Sequence, residues 1–353
     1  MKGNVKRIAA LMLMSGLLLC GCGNSDGSQQ EEATGEGDVI EIGMCFDSFV
    51  IERWEKDRDV FVDTAASLGA TVNVQNANGD VEKQIEQIDY LIDKNVDCLV
   101  VIPVDCMALK DVLKKANDKG IPVVSYDRLI GEGYSDLYIS FDNEEVGRML
   151  GQAIVDSGAK SVVMICGPLT DNNVPLVNDG FTKVMEQNNV QILDTFYCEG
   201  WKAELGGAYV YENGSIIQQA DAIMCGNDDL AASVIRALAV SRLAGVKPVV
   251  GQDADLPACQ HIVEGTQLMT VYKPVGKLAE QAAQDAVMLA KGEAIETEAV
   301  LSDGIVDVPY VAVAPVAVTA DNMDKIIIEG GFHTKEDVYM NISAEDTETK
   351  EKP

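Results

Sequence analysis

A chain of 353 residues is long enough for two domains with separate cores, and at 47% apolar and 24% charged it has the make-up of a soluble globular protein. Its formal net charge is −30, from 27 Lys and Arg against 57 Asp and Glu, and a field of that sign repels phosphate backbones and argues against nucleic acid as a partner. Only two histidines, His261 and His333, are present, which leaves little for histidine catalysis or histidine metal sites.

Residues 1–22 read as an export signal. Lys2, Lys6 and Arg7 precede an apolar core of 12 residues, Ile8 to Leu19. A spanning helix needs ~20 such residues, so the segment is expected to target the chain and then be removed. It ends in Leu19-Cys20-Gly21-Cys22, which resembles a bacterial lipobox with Cys22 as the lipidated residue. Lipid on Cys22 would tether an otherwise soluble protein to the outer face of the cytoplasmic membrane, at the cell surface. Residues 23–38 are polar and read as a flexible tether.

From Glu41 onward, apolar β-like runs alternate with helix-like runs. The predicted strands are Ile40–Phe46, Thr71–Gln75, Cys98–Ile102, Pro122–Ser125, Leu137–Phe141, Ser161–Cys166, Gln191–Tyr197, Ala222–Cys225, Pro248–Gly251 and Gln267–Tyr272. Helix-like runs lie between them, as at Val81–Lys94, where Ile85, Ile88, Leu91 and Ile92 recur at helical spacing, and at Met107–Lys119. This βαβ series predicts an α/β fold of two doubly wound parallel-sheet lobes. No composition break separates the halves, so three crossover strands are expected, near Asp142–Glu144, Tyr272–Pro274 and Asp303–Val308. The expected N-terminal lobe is then 39–142 plus 274–305 and the C-terminal lobe 143–273 plus 306–333, with 334–353 a polar tail.

Nearly every strand stops at a cluster able to hydrogen-bond a polyol: Asp47-Ser48, Tyr126-Asp127-Arg128, Asp142-Asn143, Asp171-Asn172-Asn173, Trp201, Asn227-Asp228, Asp253 and Lys273. In open parallel sheets, ligands bind outside the carboxyl ends of the strands. The nine cysteines are scattered without metal-ligand spacing, and the seven beyond Cys22 are expected as free thiols. There is no calcium-loop spacing either, so neither metal nor cofactor is expected.

The stretch Ile42-Gly43-Met44 followed by Glu52-Arg53-Trp54-Glu55-Lys56-Asp57-Arg58-Asp59 resembles the opening of bacterial D-xylose-binding proteins of ABC transporters. Further matches run in the same order through Val74–Gly79, Ser125-Tyr126-Asp127-Arg128, Tyr138–Glu144, Asp171-Asn172-Asn173, Gly200-Trp201, Asn227-Asp228, Gly251–Leu256, Met269–Pro274, Asp307-Val308-Pro309 and Gly330–His333. The resemblance implies the type I periplasmic-binding-protein fold, a lipoprotein receptor that closes on a monosaccharide, D-xylose first, without altering it. It also implies sugar-contacting roles for Arg53, Trp54, Arg128, Asp142, Asn143, Asn173, Trp201, Asn227, Asp253 and Lys273. The chain departs from the pattern after Asn173 and between Trp201 and Asp221, which leaves the choice among pentoses and hexoses open.

These residue types suit a sugar. Indole faces pack on ring C–H groups, and Trp54 and Trp201 are the only two tryptophans. Carboxylates accept from hydroxyls, Arg and Lys donate, and amides do both. A glycosidase would need one carboxylic acid with a raised pKa, and a site thick with Arg, Lys and amides works against that, so no enzyme is expected. A monomer is expected, with either an ABC permease or the ectodomain of a sensor histidine kinase as the membrane partner.

Overall fold

The computed structural model describes residues 39–51, 53–297 and 299–342. The export signal, Cys22, the tether and residues 343–353 lie outside the described residues.

The first half runs β1 (Ile40–Phe46), α1 (Arg53–Ser67), β2 (Ala70–Asn76), α2 (Val81–Asp93), β3 (Cys98–Val101), α3 (Lys110–Asp118), β4 (Val123–Tyr126) and β5 (Leu137–Phe141). The second runs α4 (Asn143–Asp156), β6 (Ser161–Cys166), α5 (Asn173–Gln187), β7 (Gln191–Tyr197), α6 (Ala203–Glu212), α7 (Gly214–Gln219), β8 (Ala222–Cys225), α8 (Asp228–Val240), β9 (Val249–Gln252), α9 (Leu256–Glu264) and β10 (Met269–Tyr272). The chain closes with α10 (Val275–Ala290), β11 (Val300–Ser302), β12 (Asp307–Val313), β13 (Val316–Val318) and α11 (Lys335–Val338). Strands β3, β4, β5 and β8 are buried along their whole length, as strands covered by helices on both faces must be.

Two sheets result. The first has the order β11-β12-β5-β4-β3-β1-β2 and the second β13-β10-β9-β8-β6-β7. Each contains the same parallel five-strand order, β2-β1-β3-β4-β5 in one and β7-β6-β8-β9-β10 in the other. Topology therefore reverses between β1 and β3, and again between β6 and β8, and these are the crevices where such sheets bind ligands.

The chain passes between the sheets after β5 and after β10, where those crossings were expected. The third differs. Strand β12 pairs in parallel with β5, from Tyr310 opposite Tyr138 to Val313 opposite Phe141, so residues 307–313 belong to the first sheet. The rings of Tyr138 and Tyr310 stack at 4.9 Å, and the crossing falls at Ala314-Pro315, before β13 joins β10. The tail also begins later than 334: Thr334 caps α11, and Val338 is buried in a cluster with Cys259, Ile262 and Met323. The seven described cysteines are all buried.

Helices α4 and α5 cross with their backbones nearly touching. A Cβ at Gly147 would come 2.0 Å from the Val177 carbonyl oxygen, and one at Gly180 would come 2.1 Å from that of Glu144. Backbone cannot move aside as a flexible side chain can, so Gly147→Ala is expected to destabilise the protein by roughly 1–3 kcal/mol. Thermal denaturation of that variant at an unchanged melting temperature would contradict the close crossing.

Candidate ligand-binding site

The loop after β1 delivers α1 so that its first two residues, Arg53 and Trp54, stand at the carboxyl end of the sheet. Trp54 is 1% exposed, with Phe46 packed edge-on at 6.2 Å and the Arg53 guanidinium 4.4 Å above its ring. One helical turn on, Asp57 accepts from Arg53 Nε (3.3 Å) and Nη2 (3.0 Å), and it also accepts from the Tyr126 hydroxyl. The remaining Arg53 nitrogen, Nη1, lies 3.0 Å from Asp127 Oδ1.

Arg128 also stands between two aspartates. Its Nη1 donates to Asp47 Oδ2 (2.7 Å) and to the Pro103 carbonyl (3.0 Å), while its Nε lies 2.7 Å from Asp171 Oδ2. Asp47 and Arg128 come from the first sheet and Asp171 from the second, so this ion pair crosses between lobes.

On the second lobe, Gly167 after β6 and Gly226 after β8 form a shelf at the switch point. A Cβ at Gly167 would lie 2.3 Å from Cη2 and Cζ2 of Trp201, so the indole rests on bare backbone. Trp201 Nε1 donates to Asp171 Oδ2 at 3.2 Å. Asn173 opens α5, its Nδ2 donating to the Asp127 carbonyl (2.9 Å). Asn227 caps α8 by accepting from the Leu230 amide, and Lys273 Nζ stands 3.6 Å from Asp253 Oδ1.

Between the lobes lies a cavity lined by Arg53, Trp54, Asp127, Arg128, Asp171, Asn173, Asn178, Trp201, Asn227, Gln252, Asp253 and Lys273, with Ile51, Val174, Val177 and Cys166 as apolar wall. Eight of the ten expected contact residues are in that lining. Asp142 and Asn143 are not. Asp142 caps α4, accepting from the Glu145 amide at 2.8 Å, and its half-exposed carboxylate faces Arg148. Asn143 lies behind the wall, where its Nδ2 donates to Asn173 Oδ1 (2.9 Å) and so orients that amide. Asp127, Asp171, Asn178 and Gln252 were missing from the expected set. The first two stood in strand-end clusters and were legible as candidates; Gln252, at the end of β9, lay within the matching run Gly251–Leu256 but was not singled out.

Charge in the site is balanced locally. Burial alone would raise the Asp127 pKa, but Arg53, Lys273 and Arg128 outweigh it and hold the carboxyl below the usual range. For Asp47 and Asp57 burial wins over the arginines, and both are raised. Asp228, behind Asp253, accepts from Thr270 Oγ1 (2.7 Å) and Gln267 Nε2 (2.8 Å). Its burial, opposed by the Thr270 hydroxyl and reinforced by Asp253, pushes it up to about 8.

Residues 42–294 match the family described as periplasmic binding protein domain. The chain is 41% identical over 307 residues to the D-xylose-binding periplasmic protein of Haemophilus influenzae, covering 85% of this chain and 92% of that one. It is 39% identical over 306 residues to the protein of the same name from Escherichia coli, with the same coverages. Among solved structures, a carbohydrate transporter solute-binding protein from Chloroflexus aurantiacus in complex with D-glucose superposes with a TM-score of 0.78 at 27% identity, over 84% of this chain and 97% of that chain. An ABC transporter solute-binding protein from Clostridium phytofermentans with bound β-D-glucose gives 0.77 at 26%, over 84% and 99%.

Two expectations follow from this geometry. Gly167→Ala should push the Trp201 indole into the cavity, seen as a changed tryptophan emission with a lost or strongly weakened ligand response; an unaltered spectrum would mean the indole does not rest on the shelf. For Asp228, the folded pKa lies above the ordinary carboxyl value of 3.8, so the stability carried by the neutral form is complete below about pH 4 and is lost as pH rises through about 8. Asp228→Asn, which can donate to the unbonded Gln267 Oε1, should flatten that decline. Parallel wild-type and variant melting curves across pH 4–8 would refute it.

Proposed function

The chain belongs to the periplasmic binding protein family, and from that premise we propose that it captures a monosaccharide, D-xylose first, in the interlobe cavity and delivers it to an ABC sugar permease. It binds its solute and is not an enzyme. The observation that carries the reading is the convergence on one cavity of two indoles, two arginines, a lysine, carboxylates and amides drawn from both sheets. Indole offers area to the C–H faces of a pyranose, and the rim groups supply both donors and acceptors for its hydroxyls. Asp127, held ionised by three cations, is an acceptor for hydroxyl protons and a poor general acid.

Ligand touching both lobes favours the closed state by as much as it binds that state better. An extracytoplasmic location is supported by the periplasmic relatives and agrees with the export signal expected at residues 1–22, with Cys22 as the proposed lipid attachment point. The two D-xylose-binding relatives support the sugar assignment, since their identity runs over most of both chains.

A thermal-shift screen over pentoses and hexoses should show its largest stabilisation with D-xylose, because a ligand stabilises the state that binds it. Calorimetry on Trp201→Ala should find binding weaker by about 2 kcal/mol, some 30-fold, from the lost aromatic contact. No stabilisation by any monosaccharide would sink the proposal. Capture of a sensor-kinase ectodomain rather than a permease by sugar-loaded protein would replace the delivery step.

A further inference from the structure

The loop between β6 and α5 is part of the second lobe, yet it is gripped by the first. The Thr170 carbonyl accepts from the Cys106 amide at 3.3 Å. Asp171 and Asn173 line the cavity, but Asn172 between them does not. Asn172 occupies the N-cap position of α5, where an asparagine side chain ordinarily accepts from the helix's own first amides. It makes no such bond. Its Oδ1 turns instead to the first lobe and accepts from the Leu129 amide at 2.8 Å, with the Cys106 thiol at 3.6 Å.

We infer that Asn172 is a positioning residue that clasps the two lobes together and so sets the affinity of the cavity for every ligand without touching any. The inference rests on the sugar-binding reading above. A bond between lobes that no ligand atom shares adds the same free energy to the closed form whatever the cavity holds. Apparent affinity scales with the fraction of protein competent to bind, so losing the clasp weakens all ligands by one common factor. A residue that contacts ligand discriminates among ligands instead.

The test is calorimetry and stopped-flow dissociation with D-xylose and D-glucose on wild type, Asn172→Ala and Asn172→Asp. One neutral hydrogen bond corresponds to roughly a three- to tenfold loss of affinity. Asn172→Ala should show that loss, equal for each sugar the wild type binds and expressed as faster dissociation. Asn172→Asp keeps an acceptor for the Leu129 amide and should bind more tightly than Asn172→Ala, a partial rescue that general destabilisation would not give. If the alanine variant fails to fold, Asn172→Ser, polar but too short to reach Leu129, takes its place. Unchanged affinity in the variant, or a loss confined to one sugar, overturns the clasp while leaving the sugar site standing. Wild type that binds neither sugar overturns the reading beneath it and this inference together.

Discussion

Two lobes can close over a polar cavity only if each charge taken out of water finds a partner, and the sharing of Arg53 and Arg128 among four aspartates meets that demand. A buried ion left unpaired costs several kcal/mol. Arginine suits the task because its planar fork divides donors among separate acceptors, which a lysine point charge cannot do in fixed geometry. Arg53 serves Asp57 from its own helix and Asp127 from the end of β4. Arg128 serves Asp47 on its own lobe and Asp171 on the other, so neutralisation and lobe contact are one event.

The same strand ends carry the backbone strain. Asp127 (φ 63°), Trp201 (φ 59°), Asp253 (φ 102°) and Ala254 (φ 58°) sit at positive φ, a region costly for residues with a Cβ and held only where surrounding contacts over-determine it. At Asp127 those contacts are visible: its carbonyl accepts from Ser140 Oγ at 2.7 Å and Asn173 Nδ2 at 2.9 Å. At Ala254 the amide donates to Thr270 Oγ1 at 3.1 Å. The chain turns sharply at these points, and Asp127, Trp201 and Asp253 line the cavity.

How much of this was legible follows from which signals are local. Buried parallel strands announce themselves as short apolar runs bounded by turn residues, and β5 through β8 were read to the residue. Strand β12 escaped because Pro309 interrupts an otherwise β-like run, and its pairing with β5, more than 160 residues earlier in the chain, has no local mark. Asp142 and Asn143 showed the right chemistry at a strand end, but an acid or amide beginning a helix looks the same whether it caps, orients a neighbour or touches ligand. Which role it takes depends on the direction the helix leaves the sheet, and that is set by the α4–α5 crossing rather than by the dipeptide.

What remains is the question of what the cavity asks of its occupant. Trp54 Nε1, Gln252 Oε1 and Asp253 Oδ1 are buried there with no hydrogen bond from the protein. Gln252 commits its amide nitrogen to the Gly226 carbonyl, which leaves its oxygen as a fixed acceptor at the shelf. Trp54 is pinned between Phe46 and Arg53, so its indole N–H cannot swing to another partner. A buried polar group left unmatched costs about 1–3 kcal/mol, so an occupant lacking a hydroxyl at any of these points forfeits that amount. The proposed recognition therefore rests on what the wall leaves unpaired as much as on what it pairs.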